Sequence, residues 1–356
     1  MATSTLSTSE TIFPNNFSSS EPALVSANST DREGTWIRYY VVHVITIGGV
    51  LSNILALTVV ASSRRMRMSP SGVLLLSLSI IDTLVLVTER IETMTSSRLG
   101  RHRLGLKAPT LIAMYYIKYS GRCAASFVVT CISINRFAVV VYPLKSDWFM
   151  HCKNALIQVA SSVVFALLIN MYVVIYPPLI KRTYYGYFYG VVAVEVVLTD
   201  IIISLTILVM SAMTASTFLK SGQGVRRSSS KSRSDSIVSA RRADRQVTVL
   251  LLTVALTYVV LRIQYRLTWI PVFFMHNVQK ADPPDSLRMA YYITYCIYLL
   301  NYATNLYQYS LCSSVFRIEF RKLFCFWKKI VAGRKTSTSS MKSHGSVTCK
   351  THATAI

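Results

Sequence analysis

Long apolar runs alternate with short polar segments along most of the chain. An α-helix needs about 20 largely apolar residues to cross a hydrocarbon core about 30 Å thick, and seven of the runs are about that long or longer. Transmembrane β-strands would be about ten residues long and would alternate in polarity. The pattern therefore predicts an all-α membrane protein, a bundle of seven transmembrane helices over residues 37–62, 71–88, 108–141, 154–177, 187–218, 247–274 and 289–312.

The segments outside these spans are more polar. Residues 1–36 are rich in serine and threonine, lack the apolar core of a secretory signal peptide, and are expected to form a disordered tail. Within the membrane domain 37–312, the connection 219–246 is expected to be a flexible basic loop. Residues 313–326 carry apolar residues at helical spacing between basic ones, which predicts an amphipathic interfacial helix. Residues 327–356 are expected to be a second disordered tail.

Composition and charge agree with a membrane protein. The chain is 52% apolar and 15% charged, whereas soluble domains carry about 25% charged residues. The formal net charge is +23, and the segments on the side of the C-terminus hold 22 Lys and Arg against 4 Asp and Glu. Because basic loops stay in the cytoplasm, we expect a plasma-membrane protein with its N-terminus outside and its C-terminus inside. The basic excess then faces the lipid bilayer and cytoplasmic partners, and no nucleic acid is expected.

Short motifs in the tails agree with this orientation. Both glycosylation sequons, at Asn16 and Asn28, precede the first span, which favours an extracellular N-terminus. Cys325 lies at the end of the predicted amphipathic helix and is a candidate for palmitoylation. The C-terminal serines and threonines are candidate phosphorylation sites, and the terminal Thr354–Ile356 would suit a PDZ groove.

Several polar residues lie inside the apolar runs. Asp82 stands alone in the second span and Asn53 in the first, while Asn301, Asn305 and Tyr309 follow one another at four-residue spacing in the seventh. Ionisable residues at this depth mark functional sites, unless partners satisfy them. Two interpretations remain open: ordinary hydrogen bonding between helices, or a polar core that holds water and an ion and couples the two membrane faces.

The third span carries three basic residues. Lys118 lies 18 residues before Arg136, which is about five helical turns, so both point the same way about 27 Å apart. Arg122 lies one turn from Lys118 on nearly the same face. This helix therefore presents positive charge near its outer end and again at its inner end.

The sixth span repeats this pattern with Arg262 and Arg266, and the nearest acidic residues are Glu195 and Asp200 in the fifth span. One interpretation is a set of internal ion pairs that fix helix packing. The other is an outward-opening pocket whose positive charge binds an anionic group such as a carboxylate. The candidate ligand-binding residues are Lys118, Tyr119, Arg122, Glu195, Arg262 and Arg266.

The polar residues also form a series of motifs. In chain order they are Asn53, Leu-Ser-Leu-Ser-Ile-Ile-Asp82, Ile-Ser-Ile-Asn135-Arg136-Phe137 with Tyr142-Pro143-Leu144, and Asn301-x3-Asn305-Leu306-x2-Tyr309. On these motifs the chain resembles a rhodopsin-like (class A) G-protein-coupled receptor over residues 37–330. The stretches that begin at Arg65 and Arg245 are similar to invertebrate neuropeptide receptors.

The resemblance implies specific roles. Asp82, Asn53, Asn301 and Asn305 would form a polar network that binds Na⁺, the one cofactor expected. Arg136 would meet the G protein on activation, with Asn135, Tyr258, Asn305 and Tyr309 as parts of the activation switch. No other metal site or enzyme motif is found in the sequence.

The chain departs from the family pattern at several positions. Asn135 stands where an acidic residue usually precedes the arginine, so the usual charge-assisted latch is missing and raised basal activity is expected. Leu306 replaces the proline of the last motif, and Arg262 and Gln264 replace the toggle tryptophan and the kinking proline. Leu111 takes the place of the cysteine that normally bridges to an outer loop.

The expected function is that of a G-protein-coupled receptor for a neuropeptide or another ligand with an acidic group. Lys118 disfavours cationic amines, and the seventh span has no lysine for retinal. Two alternatives remain: a seven-helix protein that binds ligand without signalling, and a transporter or channel. The transporter or channel is disfavoured because the seven spans show no inverted repeat and, more strongly, because the receptor motifs occur in family order.

Overall fold

The structure is a computed structural model. It describes residues 37–95, 108–142, 151–179, 194, 196–227, 235–275, 279, 281–312, 315–323 and 325. All regular elements in these ranges are helical, and they form the predicted bundle of seven membrane-spanning helices. The predicted tails, Asn16, Asn28, Glu195 and Thr354–Ile356 lie outside the described ranges.

The spans are built as follows. Six helices in the described ranges are long and apolar enough to cross a membrane, and the seventh span is divided into two shorter helices. The segments in chain order are Ile37–Val41 with Val42–Ser62, Pro70–Thr95, Ala108–Val141, Cys152–Ile169 with Tyr172–Leu179, Val197–Ile202 with Ile203–Arg227, Asp235–Phe274, and Asp285–Ala303 with Asn305–Cys312. Ile37–Val41 and Val197–Ile202 are π-helical. A short helix, Arg64–Arg67, joins the first two spans.

The second, fifth and sixth helices extend seven or more residues beyond their predicted bounds. The second span continues to Thr95. The fifth continues to Arg227 and the sixth begins at Asp235, so the flexible loop predicted over 219–246 is wrong in extent. A helix can continue into water with polar residues, and hydropathy detects only the part that lies in hydrocarbon.

The seventh span breaks at Thr304, although the family's proline is replaced by Leu306 two residues later. Thr304 ends the first helix with φ −96° and ψ 3°, and its N–H donates to the Leu300 carbonyl at 3.0 Å. The Gln308 side chain donates to the Thr304 hydroxyl at 3.0 Å. The helix therefore breaks at Thr304 without the family's proline, and the Gln308 side chain binds the threonine at the break.

The first, second and seventh spans approach closely at Gly49. A β-carbon there would lie 2.6 Å from Leu86 Cδ1 and 2.7 Å from Ala303 Cβ. Ser52, one turn along, donates from its hydroxyl to the Ala303 carbonyl at 2.7 Å. This contact fixes the seventh span against the first and positions its polar residues in the bundle.

Residues 315–323 form a further helix after the seventh span. Phe316 is fully buried, and its ring lies 5.7 Å from that of Tyr309 and 6.1 Å from that of Phe320. Arg317 on the exposed side donates to the Leu311 carbonyl at 2.9 Å. The helix therefore packs one apolar side against the bundle.

Candidate functional site

The two ends of the bundle differ in chemistry. We call them the Ile37 end, where the first span begins, and the Arg136 end, where the third span carries Arg136. Spans run alternately between these ends, so the last turns of the second span, Lys118 and Arg266 all lie towards the Ile37 end.

Two ion pairs join the second and third spans near the Ile37 end. Lys118 contacts Glu92, and Arg122 contacts Glu89. Glu89 is fully buried and Lys118 nearly so. Glu89 and Glu92 are three residues apart and Lys118 and Arg122 are four apart, so each two residues lie on one face of their helix. The two ion pairs therefore lie next to each other across the interface of the second and third spans.

A third group of charges joins the fifth and sixth spans. Arg262 Nε contacts Asp200 Oδ1, and Arg266 Nη2 lies 2.5 Å from Asp200 Oδ2. Arg262 and Asp200 are almost completely buried. Asp200 belongs to the π-helical turn Val197–Ile202, a form of helix that is common at functional sites. The sequence predicted Asp200 as a partner of these arginines, and the structure brings them together.

Glu89 and Glu92 were not predicted as site residues, because the predicted second span ended at residue 88. Their three-residue spacing, matched by Lys118 and Arg122 on the next helix, was the signal that could have found them. We call the seven residues that form these contacts the charged cluster: Glu89, Glu92, Lys118, Arg122, Asp200, Arg262 and Arg266. The role of internal ion pairs that fix helix packing has support, because every cation of the cluster contacts a carboxylate. A pocket for an anionic group also has support, because Arg262 and Arg266 share the single carboxylate of Asp200.

Tyrosine rings surround the charged cluster. The Lys118 ammonium lies 4.6 Å from the ring centre of Tyr119, a distance that allows cation–π attraction. The Arg122 guanidinium lies 5.3 Å from the ring centre of Tyr298. Tyr295 donates its hydroxyl to Glu89 at 2.6 Å, and Tyr265 stacks on Tyr298 at 4.6 Å. The seventh span therefore contributes an aromatic wall to the cluster, which the sequence did not predict.

Tyr258 connects the charged cluster to the middle of the bundle. The Arg262 guanidinium lies 5.3 Å from its ring centre. Its hydroxyl donates to Ser126 Oγ of the third span at 2.5 Å. The ring is fully buried, so Tyr258 connects Arg262 to the contact between the sixth and third spans.

A polar network lies below Tyr258. Asn305 donates to Asp82 at 2.6 Å and to Asn53 at 3.2 Å. Asn53 in turn donates to the Tyr302 carbonyl at 2.8 Å. These contacts bring together the polar residues of the first, second and seventh spans that the sequence selected.

A small cavity borders this network and contains the side chain of Asn301 in its wall. Gln308 Oε1 is buried and accepts no hydrogen bond from the described residues. The carboxylate and amide oxygens therefore suit a hard cation such as Na⁺. The lining residues are Leu78, Asp82, Ala125, Val129, Val254, Tyr258, Asn301, Asn305 and Gln308.

The Arg136 end carries the last group of predicted residues. Asn135 and Gln158 donate to each other's side chains at 2.8 and 3.0 Å, which joins the third span to the fourth. Arg136 instead contacts the Ser71 hydroxyl of the second span. Tyr309 is buried against Phe316. The residue before the arginine is therefore held by an amide pair, where the family pattern has a charged latch.

The fold and these sites define an integral membrane receptor. Seven helices enclose a charged cluster near one end, a polar cavity in the middle and an arginine near the other end, an arrangement that can transmit a change from one membrane face to the other.

Comparison with known proteins gives the family. The model of the family 7 transmembrane receptor (rhodopsin family) matches residues 52–305. The chain is 26% identical over 305 residues to the thyrotropin-releasing hormone receptor of Gallus gallus, covering 77% of this chain and 75% of that receptor. It is 27% identical over 311 residues to that of Ovis aries, covering 77% and 74%.

The chain belongs to the rhodopsin family of seven-transmembrane receptors. It is therefore a G-protein-coupled receptor and a multi-pass membrane protein. The resemblance found in the sequence motifs is confirmed. Both of these relatives are vertebrate receptors, whereas two stretches of the sequence are similar to invertebrate neuropeptide receptors.

Proposed function

We propose that the receptor binds an extracellular peptide with an acidic group at the Ile37 end and activates a heterotrimeric G protein at the Arg136 end. The observation that carries the ligand class is the charged cluster, in which four cations face three carboxylates. The curated relatives are receptors for a hormone by name, which supports an extracellular messenger as the ligand.

The proposed orientation places the Ile37 end outside the cell. The positive-inside rule supports this, because the segments at the Arg136 end carry most of the basic residues. The same orientation places the sequons at Asn16 and Asn28 outside and Cys325, which is exposed, at the cytoplasmic face. Glycosylation, palmitoylation and the binding of arrestin or a PDZ protein to the C-terminal tail are further proposals that rest on it.

The proposed signal passes through residues that touch one another. A ligand group that contacts Arg266 or Arg262 changes the balance of their attraction to Asp200. Arg262 covers Tyr258, which contacts Ser126 of the third span and lines the cavity beside Asp82. Movement of the sixth span against the third then reaches Arg136, which leaves Ser71 to meet the G protein.

Sodium fits the cavity below Tyr258. Asp82 would supply the carboxylate, and Asn301 and Gln308 would supply neutral oxygens. A bound cation would neutralise the buried Asp82 and hold the second and seventh spans together, and collapse of the cavity would expel it. On this proposal Na⁺ favours the inactive arrangement.

Ligand-driven nucleotide exchange tests this proposal. Wild-type receptor in membranes is combined with a panel of heterotrimeric G proteins and a library of acidic neuropeptides. We expect at least one peptide to accelerate exchange, and we expect Arg136→Ala to abolish it. Arg321→Ala, which changes an exposed arginine on the same side of the protein, should retain exchange.

The two alternative functions, a non-signalling binding protein and a transporter or channel, predict different results in these assays. If peptides bind and no G protein exchanges nucleotide, the chain is a non-signalling binding protein. If Arg136→Ala signals like the wild type, the proposed role of this arginine is wrong. Transport of a labelled ligand into vesicles would instead favour a transporter.

A further inference from the structure

The positive charge of the cluster is unevenly compensated. Lys118 has Glu92 and Arg122 has Glu89, so these two cations of the third span face separate carboxylates. The two arginines of the sixth span have only Asp200 between them among the described residues. The surplus of positive charge therefore lies between the fifth and sixth spans.

Unsatisfied hydrogen-bond donors also occur at this place, although Arg122 Nε of the third span likewise lacks an acceptor among the described residues. Arg262 Nη1 and Arg266 Nε are buried and have no hydrogen-bond acceptor among the described residues. Arg262 itself is only 2% exposed. A guanidinium carries five N–H donors, and buried donors in a stable site normally have acceptors. Within the part of the chain that the structure describes, these two donors therefore lack an acceptor, although both side chains contact Asp200.

The surroundings indicate what kind of group fits. Aromatic rings lie beside both guanidinium groups, since Arg262 lies over Tyr258 and Arg266 lies over Tyr265 and Trp269. A guanidinium binds a carboxylate through the N–H groups at its edge, so a planar acceptor such as a carboxylate suits these donors. Arg266 is the more exposed of the two, at 18% against 2%, so a ligand would approach from its side.

We propose that Arg262 and Arg266 form the subsite for the ligand's carboxylate, and that Asp200 is an internal competitor for the same donors. The proposal rests on the proposed ligand class and names which of the candidate cations binds the acidic group. The third-span pair Lys118 and Arg122 then maintains the packing of the second and third spans and does not hold the carboxylate.

If Asp200 competes with the ligand for the two arginines, removing its charge should strengthen binding of an external carboxylate. An anion site without an internal competitor would not show this effect. Replacing the Asp200 carboxylate with an amide removes the negative charge that occupies both arginines and leaves the donors in place. Asp200→Asn should therefore bind an external carboxylate more tightly, by about tenfold for one charge-assisted hydrogen bond.

Benzoate is a suitable probe, because it combines a carboxylate with a ring, and benzamide is its neutral counterpart. The full-length receptor is purified in detergent, and binding is measured as the shift of the unfolding midpoint with probe concentration. We expect benzoate to raise the midpoint of the wild type and benzamide to leave it unchanged. Arg266→Gln should lose the benzoate shift, and Asp200→Asn should show it at about tenfold lower concentration.

The matched control removes a balanced pair elsewhere in the cluster. The double variant Lys118→Met with Glu92→Gln should keep the benzoate shift. The proposal is overturned if the wild type shows no benzoate-specific shift, if Arg266→Gln keeps it, or if this double variant alone loses it. Should Asp200→Asn fail to fold, the wild type, Arg266→Gln and the double variant still decide the matter.

Failure of this subsite and failure of the proposed function are distinguishable. If benzoate does not bind but peptides still drive nucleotide exchange through Arg136, the receptor function stands and the acidic group binds elsewhere. If benzoate binds and no exchange occurs, the subsite stands and the signalling proposal is wrong.

Discussion

Asn135 of the third span and Gln158 of the fourth form a reciprocal pair of side-chain hydrogen bonds, at 2.8 and 3.0 Å. Asn135 is buried, and its amide is engaged by a helix other than its own. The adjacent Arg136 therefore has no charged partner at position 135 and contacts Ser71. A contact with a neutral hydroxyl holds the arginine less firmly than a carboxylate would.

The first prediction concerns basal activity. Asn135→Asp introduces a carboxylate beside Arg136 and should lower ligand-independent nucleotide exchange by up to about tenfold, the effect of about 1.4 kcal/mol on the equilibrium. Gln158→Ala serves as the comparison, because it breaks the amide pair without adding charge. Equal basal exchange in the wild type and Asn135→Asp would show that no latch is missing.

The second prediction concerns the buried pair of Glu89 and Arg122. Glu89→Gln leaves the arginine uncompensated and should lower the free energy of unfolding by about 3–5 kcal/mol, measured by denaturation in detergent. The double variant Glu89→Gln with Arg122→Met should recover much of this loss, since no charge remains buried.

The exposed pair of Lys322 and Glu319 provides the control for that measurement. Its ammonium and carboxylate are 2.9 Å apart, but the lysine is 67% exposed. Glu319→Gln should cost less than about 1 kcal/mol. Similar losses for the two glutamates would contradict the burial of Glu89 in the bundle.

The third prediction uses two neighbouring glycines. Gly49→Ala places a methyl group 2.6 Å from Leu86 Cδ1, and overpacking of this kind costs about 1–3 kcal/mol. Gly48→Ala meets no atom within 4 Å and should be neutral or stabilising by about 0.5–1 kcal/mol through helix propensity. Unfolding midpoints that change alike in both variants would exclude a close approach of the first and seventh spans at Gly49.

The fourth prediction concerns sodium. Replacing choline chloride with sodium chloride at constant ionic strength should raise the unfolding midpoint of the wild type, because Na⁺ binds the folded state. Asp82→Asn removes the charged ligand and should abolish the difference between the two salts. A sodium effect that persists in this variant would place the ion elsewhere.

The sequence predicted the number of spans well, because each must present about 20 apolar residues to lipid. For the third span even the bounds agree, at Ala108–Val141. The second span was cut short at residue 88 because Glu89 and Glu92 are charged. Glu89 is buried and Glu92 is partly buried, both contact the third span, and their partners are distant in sequence.

The polar network, the break in the seventh span and the aromatic wall depend on contacts between helices, which the hydropathy pattern of the sequence does not reveal. The sequence selected Asp82, Asn53 and Asn305 by their polarity in apolar surroundings, and the structure joins them. With Leu306 in place of the proline, a break at Thr304 was not expected, and there Gln308 donates to the threonine hydroxyl. The aromatic wall was not predicted either, because tyrosines at helical spacing are common in apolar spans.

The central claim is that a ligand's acidic group acts on the charged cluster to drive G-protein activation, and a matched pair of peptides tests it most directly. For a peptide that stimulates nucleotide exchange, the acidic group is replaced with its amide and the concentration for half-maximal exchange is measured. We predict that the amide requires at least about tenfold more peptide, because it loses a charge-assisted contact. Equal potency of acid and amide would contradict the claim.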